Sequence, residues 1–159
     1  GAIPSANSVA LYNLLSLSRL TGDPKWEEKA QSQVQAFSGT VKGQPAAFTF
    51  FLVGLDFALR PGQEIVIAGE PDKADTRKLL SALNLNFAPN KVALVKSDQN
   101  AKRLAKFAGF TDGLQVVEGK TTAHMCRDGS CSGSTSDMQT ILNHLLEKGQ
   151  EAKAKESKP

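Results

Sequence analysis

The tripeptide Arg60-Pro61-Gly62 divides this chain into two kinds of sequence, and no other feature constrains the fold as strongly. Proline ends a helix and glycine admits a turn, so the three residues mark a boundary. Before it, apolar residues recur at helical spacing. After it, short β-branched runs alternate with helical stretches.

The first third predicts three helices. Ser5 is placed to cap a helix running to about Leu20, where Val9, Leu11, Tyr12, Leu14, Leu15, Leu17 and Leu20 cover most of the circumference. Thr21-Gly22 stops it. Asp23 caps the next helix, and Pro24 suits the first turn, where no backbone N–H is needed. Trp26, Ala30, Val34, Phe37 and Val41 make that helix amphipathic. Pro45 opens a third helix, Ala46 to Leu59, apolar nearly all round and expected to be enclosed.

Beyond the boundary, residues 64–68 and 92–95 read as short buried strands. Helices are expected near Asp72–Leu83 and Asn100–Phe107. Strand–helix–strand–helix with short connections predicts a parallel α/β unit. Leu114–Val117 and Thr122–Cys126 read as further strand material. Ser136 is expected to cap a final helix, with Gln139 completing a capping box. Met138, Ile141, Leu142, Leu145 and Leu146 line that helix. The fold class is therefore α/β. A helical segment spans 1–60, a small parallel or mixed α/β domain spans 61–148, and a frayed, lysine-rich tail spans 149–159.

Both cysteines lie in one hairpin signal, Cys126-Arg-Asp-Gly-Ser-Cys131. A two-residue turn at Asp128-Gly129 makes Arg127 and Ser130 the closing pair and sets Cys126 opposite Cys131. Non-hydrogen-bonded pairs bring Cα atoms to about 4.5 Å, within the disulfide range of about 4.4–6.8 Å. The pattern places two thiols side by side and leaves open whether they are oxidised, bind metal or pack.

Other features narrow the function. A net charge of +3 with few aromatics gives no argument for nucleic acid. The longest apolar run, Ala46–Leu59, is too short for a bilayer, which takes about 20 residues. Two cysteines are too few for a disulfide scaffold, which leans toward an intracellular, cytoplasmic setting. The loop Gly69–Asp75 follows a strand, where α/β folds collect ligands. It carries Glu70, Asp72 and Asp75 and neither phosphate-binding glycine motif, so Asp72 reads as a helix cap and no cofactor is expected. His124 and Cys126 share a strand face and Cys131 joins them, giving three possible zinc ligands. A fourth is missing unless Asp137 or His144 swings in, so no metal is expected. The Cys-x4-Cys spacing is not Cys-x-x-Cys, and neither cysteine starts a helix, so activation is not evident. Pro4-Ser5-Ala6-Asn7-Ser8 reads as capping.

Several segments together resemble the C-terminal part of the spermatogenesis-associated, thioredoxin-domain-containing family, which has bacterial members. The matching pieces are Pro4-Ser5-Ala6-Asn7-Ser8-Val9-Ala10, Leu14-Leu15 through Leu20-Thr21-Gly22-Asp23, Ile65-Val-Ile-Ala-Gly69, Pro89-Asn90-Lys91-Val92, and Ala123, Cys126 and Cys131 followed by Thr135 and Asp137. The order is the family's over nearly the whole chain. The family usually has glycine at the place of Ala6 and an aromatic at that of His124. The resemblance implies a larger parent, with a thioredoxin-like domain and an α/α toroid similar to six-hairpin glycosidases and sugar epimerases. This chain would supply the last toroid helices and an appended α/β unit. The Pro4–Ser8 turn would then line the toroid cavity, with Ser5 and Asn7 as contacts for a small-molecule or sugar ligand. Three readings follow. The first is a non-catalytic C-terminal segment with a structural or ligand-lining role, partnered by the rest of its parent. The second is part of a carbohydrate-acting enzyme. The third is a thiol redox module using Cys126 and Cys131.

Overall fold

A computed structural model describes residues 3–127 and 129–145. The chain divides into two compact units, one ending at Pro61 and the other beginning at Gly62.

The first unit holds helices α1 (Ala6–Thr21), α2 (Pro24–Gly43) and α3 (Thr49–Leu59). Ser5 Oγ accepts from the Ser8 backbone N–H and so caps α1. Gly22 ends it with φ +70°, a left-handed position that favours glycine, and its N–H closes on the Ser18 carbonyl. Asp23 then caps α2 through the Lys25 N–H, with Pro24 in the first turn. Leu11, Phe51 and Phe57 form the fully buried centre. Tyr12 stands edge-on to Phe57 at 5.2 Å, and the Arg19 guanidinium lies 3.8 Å above the Phe57 ring. That arrangement adds aromatic and cation–π attraction to plain burial.

The third helix departs from expectation twice. Pro45–Phe48 is a separate 3-10 turn, and α3 starts only at Thr49. The Phe48 backbone, at φ −123° and ψ 37°, interrupts the α-helical path. Nor is α3 enclosed: Leu52, Val53 and Leu59 are 37%, 42% and 84% exposed. Three helices provide too few neighbours to cover an apolar stripe that runs all round.

The second unit contains β1 (Gln63–Ala68), α4 (Ala74–Leu85), β2 (Lys91–Lys96), α5 (Ala101–Phe107), β3 (Thr122–Arg127) and β4 (Ser130–Thr135). Residues 138–145 are helical and form α6. The sheet order is β2-β1-β3-β4. β1 runs parallel to β2 and antiparallel to β3, so the sheet is mixed. All six β1 residues are buried. On one face Ile65 and Ile67 join Ala123, Leu79 and Leu83 of α4, and Ile141 and Leu145 of α6. Alternation puts Glu64, Val66 and Ala68 on the other face, opposite Cys126, His124 and Thr122.

Three local expectations are corrected. Leu114–Val117 forms no strand. Instead Glu118 (φ 51°) and Gly119 (φ 70°) make a tight turn that leaves one bridge, Val117 to Lys120. Asp72 does not cap α4, which begins at Ala74 with Lys73 at the cap position and no side-chain cap bond. Asp137, not Ser136, caps α6: its Oδ2 accepts from the Thr140 N–H at 2.8 Å and from the Thr140 hydroxyl at 2.6 Å. Gln139 donates to Asn143 and closes no capping box. The Leu146 contact and the tail at 149–159 fall outside the described residues.

Gly54 sets the closeness of α1 and α3, because a Cβ there would lie 2.9 Å from Leu11 Cδ2. Gly54→Ala should destabilise the first unit by about 1 kcal/mol, since overpacking costs roughly 1–3 kcal/mol and helix propensity returns about 1. Urea unfolding followed by far-UV dichroism measures it. The Thr140 hydrogen bonds hold the Asp137 carboxyl below its ordinary 3.8. Its stabilisation is complete above that value and is lost as pH falls through the lowered one. Asp137→Asn should flatten the acid limb of unfolding curves measured across that range.

Candidate functional site

The Cys126–Cys131 hairpin is where the chain concentrates reactive side chains. Strand β3 ends at Arg127 and its antiparallel partner β4 begins at Ser130. Asp128 of the foreseen turn lies outside the described residues, and Gly129 has φ +76°. Arg127 pairs with Ser130 and Cys126 with Cys131, the register that the turn chemistry implies. The two sulfurs are bonded at 2.00 Å, and the Cα atoms lie 3.8 Å apart. That is closer than the about 4.5 Å of pairing alone and below the usual disulfide range of about 4.4–6.8 Å. Just beyond, the register shifts between Met125 and Cys126, a bulge that leaves Ser132 extra on the β4 side.

The pair is unequal. Cys126 is 4% exposed, while Cys131 is half-buried on the sheet's edge strand. On its other side Cys126 faces Glu64 of β1. Directly opposed residues of an antiparallel pair share a face, with Cβ atoms about 4.5–5.5 Å apart. Glu64 is itself only 2% exposed. It was not foreseen as a site residue. Its signal was a carboxylate beginning a strand of otherwise apolar residues, and strand pairing was needed to show what it faces.

His124 is buried on the same face as Cys126, as alternation requires, and its Nε2 lies 2.8 Å from the Gln115 carbonyl oxygen. With that ring nitrogen engaged and both cysteines in a disulfide, the three foreseen zinc ligands are each committed elsewhere. Among the described residues no cluster of three metal-ligating side chains occurs. Asp137 is the α6 cap, and His144 lies on α6 and is not without a partner.

The loops after β1 and β2 meet through Glu70, whose Oε1 accepts from the Asp98 N–H at 3.0 Å. A carboxylate bridging this crevice opposes an anionic ligand there. Gly69 is packed so that a Cβ would lie 2.8 Å from the Thr76 hydroxyl and 2.9 Å from that of Thr121. Those hydroxyls bond each other in the interior at 3.1 Å. A shallow cleft of about 300 Å³ opens beside them, lined by Asp75, Lys78, Lys120 and Ser136 among others.

At the start of α1, Ser5 Oγ is used in capping and lies 2.8 Å from Ser8 Oγ. Asn7 is exposed, and its backbone carbonyl accepts from Gln33 Nε2. Two of the carboxylates of the helical unit have structural employment: Asp23 pairs with Lys25 at 2.5 Å and Asp56 with Arg60 at 2.6 Å. No helix among the described residues is long and apolar enough to cross a membrane.

No family model matches the chain, and no solved structure matches it. Among characterised proteins it is similar to spermatogenesis-associated protein 20 of Rattus norvegicus (33% identical), Mus musculus (32%) and Homo sapiens (31%), in each case over 137 residues. The matched region is 86% of this chain and 17% of each relative, so the chain spans about a sixth of their length. Similarity over most of the chain supports kinship with the spermatogenesis-associated protein 20 family.

The disulfide closes a short loop, so loop entropy gives it about 2 kcal/mol of stabilisation. Reduction should lower the stability of the second unit by that amount. Urea titrations of oxidised protein and of reduced, alkylated protein measure the difference.

Proposed function

We propose that this chain is the C-terminal segment of a longer, thioredoxin-domain-containing polypeptide. Its helical unit has a structural and ligand-lining role there rather than a catalytic one. The observation that carries this reading is the apolar surface left open on α1 and α3: Val9, Leu17, Leu52, Val53 and Leu59. Isolated exposed apolar residues are ordinary, but several on two packed helices mark a surface made to be covered. The occupant is the remainder of the parent, since the similar proteins are about six times as long as the region they share with this chain. Helices packing on α1 and α3 would extend the helical layer. Ser5 and Asn7 then sit at the mouth of α1, where Asn7 offers an exposed amide to a small polar ligand.

Covering these residues is worth about 25 cal/mol per Å² of apolar surface removed from water, so the unit should not remain bare at working concentrations. Expressed alone, the chain should self-associate in sedimentation velocity runs and take up a hydrophobic dye. Leu52→Lys with Val53→Lys should reduce both without loss of helical dichroism. Adding the upstream part of the parent should also suppress both. A clean monomer that ignores the dye would overturn the reading.

A further inference from the structure

We propose that Cys126–Cys131 is a thiol–disulfide exchange site for a dithiol reductant, with Glu64 as its proton donor and acceptor. Three observations converge on it. The two sulfurs differ in access, because Cys126 is 4% exposed and Cys131 is half-buried on the edge strand β4. Cys126 is flanked on one side by Cys131 and on the other by Glu64, all within one face of the sheet. Glu64 is enclosed, at 2% exposure, in a strand of which every residue is buried. Around it, β2 presents Val92 in register, and β3 presents His124, whose ring nitrogen lies against the Gln115 carbonyl oxygen.

Access decides the direction of attack. A thiolate of the reductant approaches Cys131 Sγ from the open side of the edge strand. A bond forms between the two, the Cys126–Cys131 bond breaks, and its electron pair passes to Cys126 Sγ. A thiolate there would stand beside a carboxylate in a buried setting, where two negative charges disfavour each other. Glu64 in its acid form removes the conflict by giving its proton to Cys126. The reductant's second thiol loses its proton to water and attacks its own sulfur in the mixed disulfide, while Glu64 regains a proton from water. Cys131 leaves as a thiolate and is protonated from water. Two electrons and two protons have moved: the reductant ends as a disulfide and the hairpin as two thiols. In reverse, Glu64 as carboxylate takes the Cys126 proton and makes the buried thiol a nucleophile. The site needs no Cys-x-x-Cys helix, because strand pairing provides the second sulfur and the carboxylate.

The test is the rate of reduction of the folded protein by dithiothreitol, quenched by alkylation and read by mass. Glu64→Gln should fold with an unchanged far-UV spectrum and be reduced about 10²-fold more slowly, at the lower end of general acid–base contributions. A monothiol, glutathione, should be trapped on Cys131 and not on Cys126. If Glu64→Gln does not fold, the wild-type rate decides. It should scale with dithiothreitol and stay level at urea concentrations below the unfolding transition. A rate in Glu64→Gln equal to wild type, trapping on Cys126, or reduction that rises with urea in step with unfolding would each overturn the assignment.

Discussion

The burial of β1 is the constraint on which the α/β unit depends. Its parallel partner β2 and antiparallel partner β3 satisfy its backbone on both sides. With no edge and no open face, it tolerates no register slip, since a shift of one residue would exchange Ile65 and Ile67 for Glu64 and Val66 against α4 and α6. The same alternation that puts two isoleucines into the core puts Glu64 beside Cys126. What Cys126 faces is thus set by the packing of β1, its neighbour in the sheet.

Much of this was legible in the residues. Thr21-Gly22-Asp23-Pro24 carries a stop and a start in four positions, and the structure uses each of them. The Cys126–Cys131 register followed from turn chemistry alone, because a two-residue loop leaves no freedom in which residues face each other. The oxidation state did not follow, for spacing places thiols without stating their bond. Helix starts were less legible. Asp72 and Ser136 both have capping chemistry, but each lies just ahead of the residue where its helix is nucleated, and neighbouring backbone geometry decides between adjacent candidates. Residues 114–117 have strand composition. The turn at Glu118-Gly119 leaves them a single bridge, and the Val117 N–H is satisfied by Thr122 Oγ1 rather than by a strand partner. Glu64 could not be read as a site residue until β1 was paired with β3. Ser5 and Asn7 show the same limit, since a capping serine and a ligand-contacting serine look alike in sequence.

Both units build a closed centre and leave some apolar side chains open. The α/β unit closes its core with α4 and α6, leaves Leu85, Phe87 and Phe107 exposed, and carries its disulfide at the sheet's edge. The helical unit has a sound centre in Leu11, Phe51 and Phe57 yet leaves apolar side chains on α1 and α3 in water. The similar proteins are about six times as long as the region they share with this chain, and the proposed cover for the helical unit's open residues rests on that difference in length.

If β1 carries the fold and the disulfide only ties its edge, the hairpin can open while the sheet persists. Amide hydrogen exchange on oxidised and reduced protein tests this most directly. Reduction should speed exchange across β4 by far more than the roughly thirtyfold that a loss of about 2 kcal/mol of global stability imposes on Ile65, Val66 and Ile67. An equal loss of protection along β1 and β4 would contradict the account, since the disulfide would then be holding the sheet together.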